Sequence, residues 1–273
     1  MLLDKIIQGK QITPRITTIY GSGGIGKSTW ASRFPDPLFI SYEMGTSDLE
    51  TARTPLITNP MSSLQILNEL AHAGTESGFA TVVIDSADAA ECLFHRQAIQ
   101  EGISPDFGKR NVFVAEKFAE LLRTLSSVRS AGLHVVIVAH AGQVKNENPD
   151  GTSFHSWGPK LSKVNSPALV EFSDEVIYAR RRVFTRAVDG DYGKKRSVGS
   201  TDGTVEGVTQ GEPAHIAKAR LKLPGVFDLW NFDEYARHNP ALGSQVSDEE
   251  SADEYDYAAD DLAFDEARER AAK

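Results

Sequence analysis

Four stretches rich in apolar and β-branched residues, 16–20, 37–43, 79–86 and 133–140, are separated by segments of helical character. The last two carry Val82-Val83-Ile84 and Val135-Val136-Ile137-Val138, as expected for strands buried on both faces. Between them Phe118, Leu121, Leu122, Leu125 and Val128 recur at steps of three and four, which predicts an amphipathic helix. A short helix is expected over 29–33, closed by Pro35. Alternating strands and helices predict an α/β fold with a mostly parallel central sheet and crossover helices. Ligands of such sheets bind at the carboxyl ends of the strands. Those ends are a glycine-rich turn after residue 20, Glu43, Asp85 and His140, so function is expected along one edge.

The turn reads Gly21, Ser22, Gly23, Gly24, Ile25, Gly26, Lys27, Ser28, followed by Thr29. Glycines at these positions let successive N–H groups face inward on a polyphosphate, with the lysine on the β- and γ-phosphates and the hydroxyl of Ser28 on Mg²⁺. The pattern predicts a site for ATP or another nucleoside triphosphate, at residues 21–29. Asp85, at the end of an apolar strand, is either the second expected Mg²⁺ ligand, directly or through water, with Ser86 beside it, or the cap of a helix. Glu43 ends the strand expected to neighbour the loop. It either orients and deprotonates the attacking water or is a solvated acid opening the polar stretch 43–50. His140 either senses the γ-phosphate or packs as a strand-end histidine, with Gln143 a weaker candidate sensor.

Charge separates the chain into two parts. The net charge is −9, and residues 247–273 hold eleven acidic against three basic residues, leaving the rest at −1. A block this acidic buries too little apolar surface to fold alone, so domains are expected at 1–240 and 241–273, the second a disordered tail. The tail is either a solubilising extension dispensable for catalysis or a partner-docking or DNA-mimicking segment with Tyr255, Tyr257, Leu262 and Phe264 as apolar anchors. No run reaches the roughly 18 apolar residues of a membrane span, and the start of the chain lacks the order of a signal peptide, so a cytoplasmic protein is expected. The single cysteine, Cys92, excludes an internal disulfide and is expected to pack in the core.

Residues 141–163 are expected to form a long loop carrying Lys145, Lys160 and Lys163 with Phe154, His155 and Trp157, a mixture able to contact phosphates and stack bases. Arg180-Arg181-Arg182, Arg186 and Lys194-Lys195-Arg196 add basic clusters, and 189–211 is expected to be a hairpin or loop.

In order, the phosphate loop, Glu43, Val82 to Ser86, Phe107-Gly108-Lys109, Val135 to His140, His215 to Arg220 and Leu223-Pro224 resemble the RecA-like P-loop ATPases. The narrower resemblance is to phage-encoded members associated with single-stranded DNA annealing and recombination, over residues 10–232. It implies a RecA-like P-loop NTPase core, ATP hydrolysis and a homo-oligomeric ring or filament. In RecA-like and DnaB-like assemblies a Lys-x-Arg pair reaches the nucleotide of the adjacent subunit. Lys218 and Arg220 match that spacing and on a strand would share a face, although a solvated basic face reads the same way. By the same resemblance 141–163 holds the place of a mobile DNA-contacting loop. A helicase, a helicase loader or a regulatory ATPase acting on proteins shares this site. A small-molecule kinase would instead need an acceptor pocket and an arginine-rich lid, for which Arg180 to Arg186 is a candidate.

Overall fold

The computed structural model describes residues 6, 8, 9, 11–146, 151–189 and 195–242, with backbone alone at 185–189 and 195–198. The acidic stretch expected from 241 lies, from 243 onward, outside the described residues. The first elements are β1 (Ile16–Gly21), α1 (Lys27–Ala31), β2 (Pro37–Ser41), β3 (Ala52–Arg53), α2 (Pro60–Ala73), β4 (Thr81–Asp85) and α3 (Ala87–Gln100). Then come α4 (Lys109–Ser130), β5 (His134–Asn146), β6 (Phe154–Pro159), α5 (Asn165–Phe172) and β7 (Glu175–Arg181). The chain continues through β8 (Phe184–Asp189), β9 (Lys195–Ser200), β10 (Val205–Val208), β11 (Lys218–Ala219), β12 (Val226–Asp228) and α6 (Phe232–Arg237).

The main sheet runs β12-β10-β7-β1-β5-β4-β2-β3, with β11 on β7 and β6 on β5. The six strands from β7 to β3 are parallel, and β10, β12, β11 and β6 join antiparallel. Alternate residues of each central strand feed opposite cores, as a doubly covered sheet requires. Ile16, Ile40, Val82, Ile84, Val135 and Ile137 pack with α2 to α5. Ile19, Phe39, Val83, Val136 and Val138 pack against Trp30, Phe34, Phe227, Phe232 and Tyr235 on the other side. The five residues that predicted an amphipathic helix are all buried along α4.

Local signals account for the helix starts. Asn59 accepts from the Met61 N–H with Pro60 in the first turn of α2, and Ser86 accepts from the Ala89 N–H at the start of α3. Cys92 corrects its expectation, for it is exposed. Helical spacing turns Ala90, Glu91, Leu93 and Phe94 of α3 inward and leaves Cys92 on the outer face.

The register aligns Gly21 with His140 and with Ala179, and Ser41 with Asp85. The ends carrying the loop, Asp85 and His140 therefore meet at one edge. The expected neighbour relation of β1 and β2 is corrected, since β5 and β4 lie between them. Glu43 thus approaches from beyond Asp85 rather than from the strand beside the loop.

At the opposite end of β7, Glu175 is fully buried, accepting from Thr17 Oγ1 at 3.1 Å with Arg15 at 3.9 Å. Burial is the main cause that pushes its carboxyl up from 4.5 to about 7. A carboxyl raised on folding binds its proton more tightly in the native state. Its stabilising contribution is therefore full below about pH 4.5 and lost as pH rises through about 7. We expect Glu175→Gln to gain on the parent by at most about 3 kcal/mol between pH 5 and pH 8, several degrees in Tm. Thermal melts at the two pH values check this, and a Tm difference independent of pH would refute it.

Candidate functional site

The chain leaves β1 at Gly21 and turns through Ser22, Gly23, Gly24, Ile25 and Gly26 into α1. Gly21 has no room for a side chain, because a β-carbon there would lie 2.5 Å from the Ala179 carbonyl oxygen. Gly26 has φ of +100°, where an L side chain is strained. Ile25 is buried beneath the turn, while Ser22, Gly23 and Gly24 are exposed to an incoming ligand. The helix expected at 29–33 instead spans Lys27–Ala31, so Thr29 lies half-buried within it and only one turn of helix dipole faces the loop.

Lys27 is buried, its Nζ donating to the carbonyls of Gly21 at 3.1 Å and Ser22 at 2.9 Å. Burial lowers its pKa, opposed by the nearby charges of Asp85, Glu43 and Asp88. The ammonium thus rests in the loop's own cradle, with three carboxylates within electrostatic reach.

Ser28 Oγ donates to Asp85 Oδ2 at 2.8 Å, whereas the other carboxylate oxygen, Oδ1, is buried without a hydrogen-bond partner. Burial pushes Asp85 up to about 6, the Ser28 hydrogen bond opposing and Glu43 adding to the rise. A hydroxyl and a carboxylate with an unused buried oxygen, beside a phosphate cradle, fit Mg²⁺, a hard cation that takes oxygen ligands. No group of three or more His, Cys, Asp or Glu suited to a metal occurs among the described residues. An ion held by Ser28 and Asp85 would draw its remaining ligands from phosphate and water, and would supply positive charge to the phosphate oxygens.

Glu43 is half-buried on the bend after β2. The N–H groups of Tyr42 and Glu43 both donate to the Asp85 carbonyl, at 2.7 and 3.3 Å, which draws the Glu43 backbone over the end of β4. His140 stands beside the loop, its Nε2 4.0 Å from where a β-carbon on Gly23 would sit. Its orientation comes from a residue that sequence reasoning missed. Asp88 accepts from the His140 backbone N–H at 2.9 Å and pairs with Nδ1 at 2.8 Å. That carboxylate keeps the hydrogen on Nδ1 and turns Nε2 toward the loop. The available signal was the position of Asp88 in the first turn of α3, where an acid also suits the helix dipole.

Lys218 and Arg220 do not join this group within one chain. β11 pairs with Val176 and Glu175, at the far end of β7 from the loop. The Lys218 ammonium donates to the carbonyls of Val170, Glu171 and Ser173 at the end of α5, and Arg220 pairs with Asp174 at 2.6 Å. The two point to a shared corner, as their spacing suggested, and both are engaged there.

The long loop expected at 141–163 is corrected to a β-hairpin. β5 continues six residues past His140 and pairs with β6, from Ala141 opposite Pro159 to Asn146 opposite Phe154. Tyr20 Oη donates to the carbonyls of Trp157 and Ile216, fastening the hairpin to the core. Alternation places Gln143, Lys145, His155 and Trp157 on one face, all exposed. Lys160 and Lys163 are exposed but follow β6 instead of sitting on that face. The hairpin wall and the end of β7 enclose a cleft of about 510 Å³ in front of the loop, lined by Ser22, Trp157, Tyr178 and Arg180 to Arg182. Arg180 and Arg182 pair with Glu206 of β10. Arg180 and Arg181 stand on β7 and Arg182 directly after it. The hairpin expected within 189–211 begins earlier, β8 pairing with β9; residues 190–194, including Lys194, lie outside the described residues.

A phosphate loop on β1, an Asp-ended strand one strand removed, and a mostly parallel sheet covered on both faces define a P-loop nucleoside-triphosphatase fold. Residues 13–221 match the AAA domain family, and the chain belongs to it. It is similar, at 23% identity over 183 residues, to the uncharacterized SPbeta prophage-derived protein YorG of Bacillus subtilis (strain 168). The match takes in 63% of this chain and 52% of that protein, so the chain spans about half the length of this curated relative. Among solved structures it is similar to a KaiC-like protein of Pyrococcus horikoshii OT3, at 12% identity and a TM-score of 0.38, over 73% of this chain and 87% of that one. It is also similar to an ATPase of a type III secretion system from pathogenic bacteria, at 14% identity and a TM-score of 0.40, over 62% and 52% of the two chains. No helix among the described residues is long and apolar enough to cross a membrane.

Proposed function

We propose that this chain binds ATP with Mg²⁺ on the 21–29 loop, hydrolyses it, and uses the cycle to act on single-stranded DNA in phage recombination or annealing. Lys27 would hold the β- and γ-phosphates, Ser28 and Asp85 the metal, and Glu43 the attacking water. His140, held by Asp88 through Nδ1, would turn Nε2 toward the γ-phosphate region and hydrogen-bond to water there. The observation that carries the DNA reading is the hairpin rooted at His140. Its exposed face joins a cation, Lys145, to two flat rings, His155 and Trp157, and borders a cleft containing Arg181, which is exposed. Alternating cationic and stacking groups suit a single strand, whose bases offer π-faces and whose backbone is anionic. The prophage origin of the B. subtilis relative agrees with a phage role.

The active form is proposed to be a homo-oligomer, ring or filament, in the cytoplasm, with the acidic tail available to a protein partner. Of the Lys-x-Arg pair, Arg220, whose side chain is about half exposed, is the cation proposed to reach an adjacent subunit. Lys218 is committed to the end of α5.

ATP hydrolysis with and without single-stranded DNA, at several protein concentrations and low salt, tests the reading. DNA is expected to raise turnover severalfold, with activity per chain climbing with concentration and the stimulation fading as salt is added. Turnover that ignores DNA would overturn the DNA assignment and transfer the cycle to a protein substrate. Activity per chain that ignores concentration would overturn the oligomer.

A further inference from the structure

Trp230 lies beyond the segment that matches the family and outside the group of side chains assigned above. It sits at a corner between β12 and α6. Leu229 before it is fully buried and Phe232 after it is 9% exposed, whereas Trp230 is turned outward at 43%. The corner is held at two points. The Trp230 N–H donates to Asp228 Oδ1 at 2.9 Å, and its carbonyl accepts from Arg33 Nη1 at 3.0 Å.

The indole rests on the phosphate loop. A β-carbon added at Gly26 would meet three of its ring carbons at 2.4, 3.0 and 3.1 Å. The ring therefore covers the Cα of Gly26, while its backbone is tied to Arg33, four positions beyond Thr29. It flanks the loop on the α1 side, beside the N–H groups of residues 26–29 on which a polyphosphate would be seated. The aromatic cluster beneath, Trp30, Phe34, Phe227, Phe232 and Tyr235, is closed without it. A rigidly mounted, half-exposed indole beside a polyphosphate cradle has the chemistry to stack a heterocyclic base.

We propose that Trp230 is the nucleobase platform of this site, a positioning residue that holds the base of the triphosphate seated on the loop. The proposal rests on reading the loop as a nucleotide site. Binding of ATP and of inorganic tripolyphosphate, each with Mg²⁺, measured by calorimetry on the full chain, separates the two. Trp230→Ala is expected to weaken ATP about tenfold and to leave tripolyphosphate within about twofold, while Trp230→Phe retains most of the ATP affinity. Trp230→Leu, which keeps apolar bulk against Gly26 without a ring, makes the same comparison should the alanine variant not fold. Unchanged ATP affinity, or equal losses for ATP and tripolyphosphate, would overturn the platform and leave the indole a prop for the loop. A parent protein that binds neither ligand would overturn the nucleotide reading, and the platform with it.

Discussion

Replacing Lys27 by alanine is expected to abolish ATP turnover, a loss of about a hundredfold or more, because the cation seated inside the loop disappears. The ammonium lies on the carbonyls of Gly21 and Ser22, close to where β- and γ-phosphates would be cradled. It is also the positive charge that faces Asp85, Glu43 and Asp88. Without it three carboxylates surround the place where a polyphosphate must bind, so nucleotide affinity should fall together with turnover. Lys27→Met keeps most of the buried volume and separates lost charge from lost packing. Steady-state hydrolysis and nucleotide binding on both variants measure the effect. Turnover at the parental rate in either would refute the site.

Glu43→Gln should act on one step only. The amide has the size of the carboxylate but cannot take a proton from water, so nucleotide binding should persist while turnover falls at least tenfold. The residue suits this test because its backbone is fixed by the Asp85 carbonyl and its side chain is not consumed by any ion pair among the described residues. Its charge raises the pKa of Asp85, so the substitution should also relax that carboxyl toward its ordinary range. Single-turnover hydrolysis with a parallel binding titration is the measurement. Equal turnover in parent and variant would require another base, and the half-buried Asp88–His140 pair would be the next to test.

These two tests could be designed from the sequence, and the contrast with the rest of the site is instructive. The loop was legible because its chemistry is contiguous: eight successive residues supply the N–H groups, the cation and the hydroxyl. Asp85 and His140 were legible because each terminates a strongly apolar run, and parallel strands deliver their carboxyl ends to one edge. Asp88 was hidden, since its partner is 52 residues away and an acid in a first helical turn ordinarily answers to the helix dipole. The hairpin was hidden as well. Polar residues alternate with Gly and Val along 141–146, and only pairing with 154–159 distinguishes that pattern from a loop. Cys92 was misplaced because a few apolar neighbours along α3 do not say which face a helix turns inward.

Lys218 and Arg220 show the same limit from another side. Their spacing correctly implied a common direction, yet what waits there, three carbonyls at the end of α5 and the carboxylate of Asp174, is set by packing. By itself, then, the sequence determined the α/β class, the phosphate loop and the arrival of Asp85 and His140 at one edge of the sheet, since those depend on short-range pattern and backbone geometry. The tertiary structure alone decided that β5 and β4 separate Glu43 from the loop strand, that Asp88 orients His140, that 141–146 pairs with 154–159 and that Trp230 covers Gly26. Each of these is a contact between residues far apart in the chain, made only when the sheet has ordered its strands and the cores on its two faces have closed.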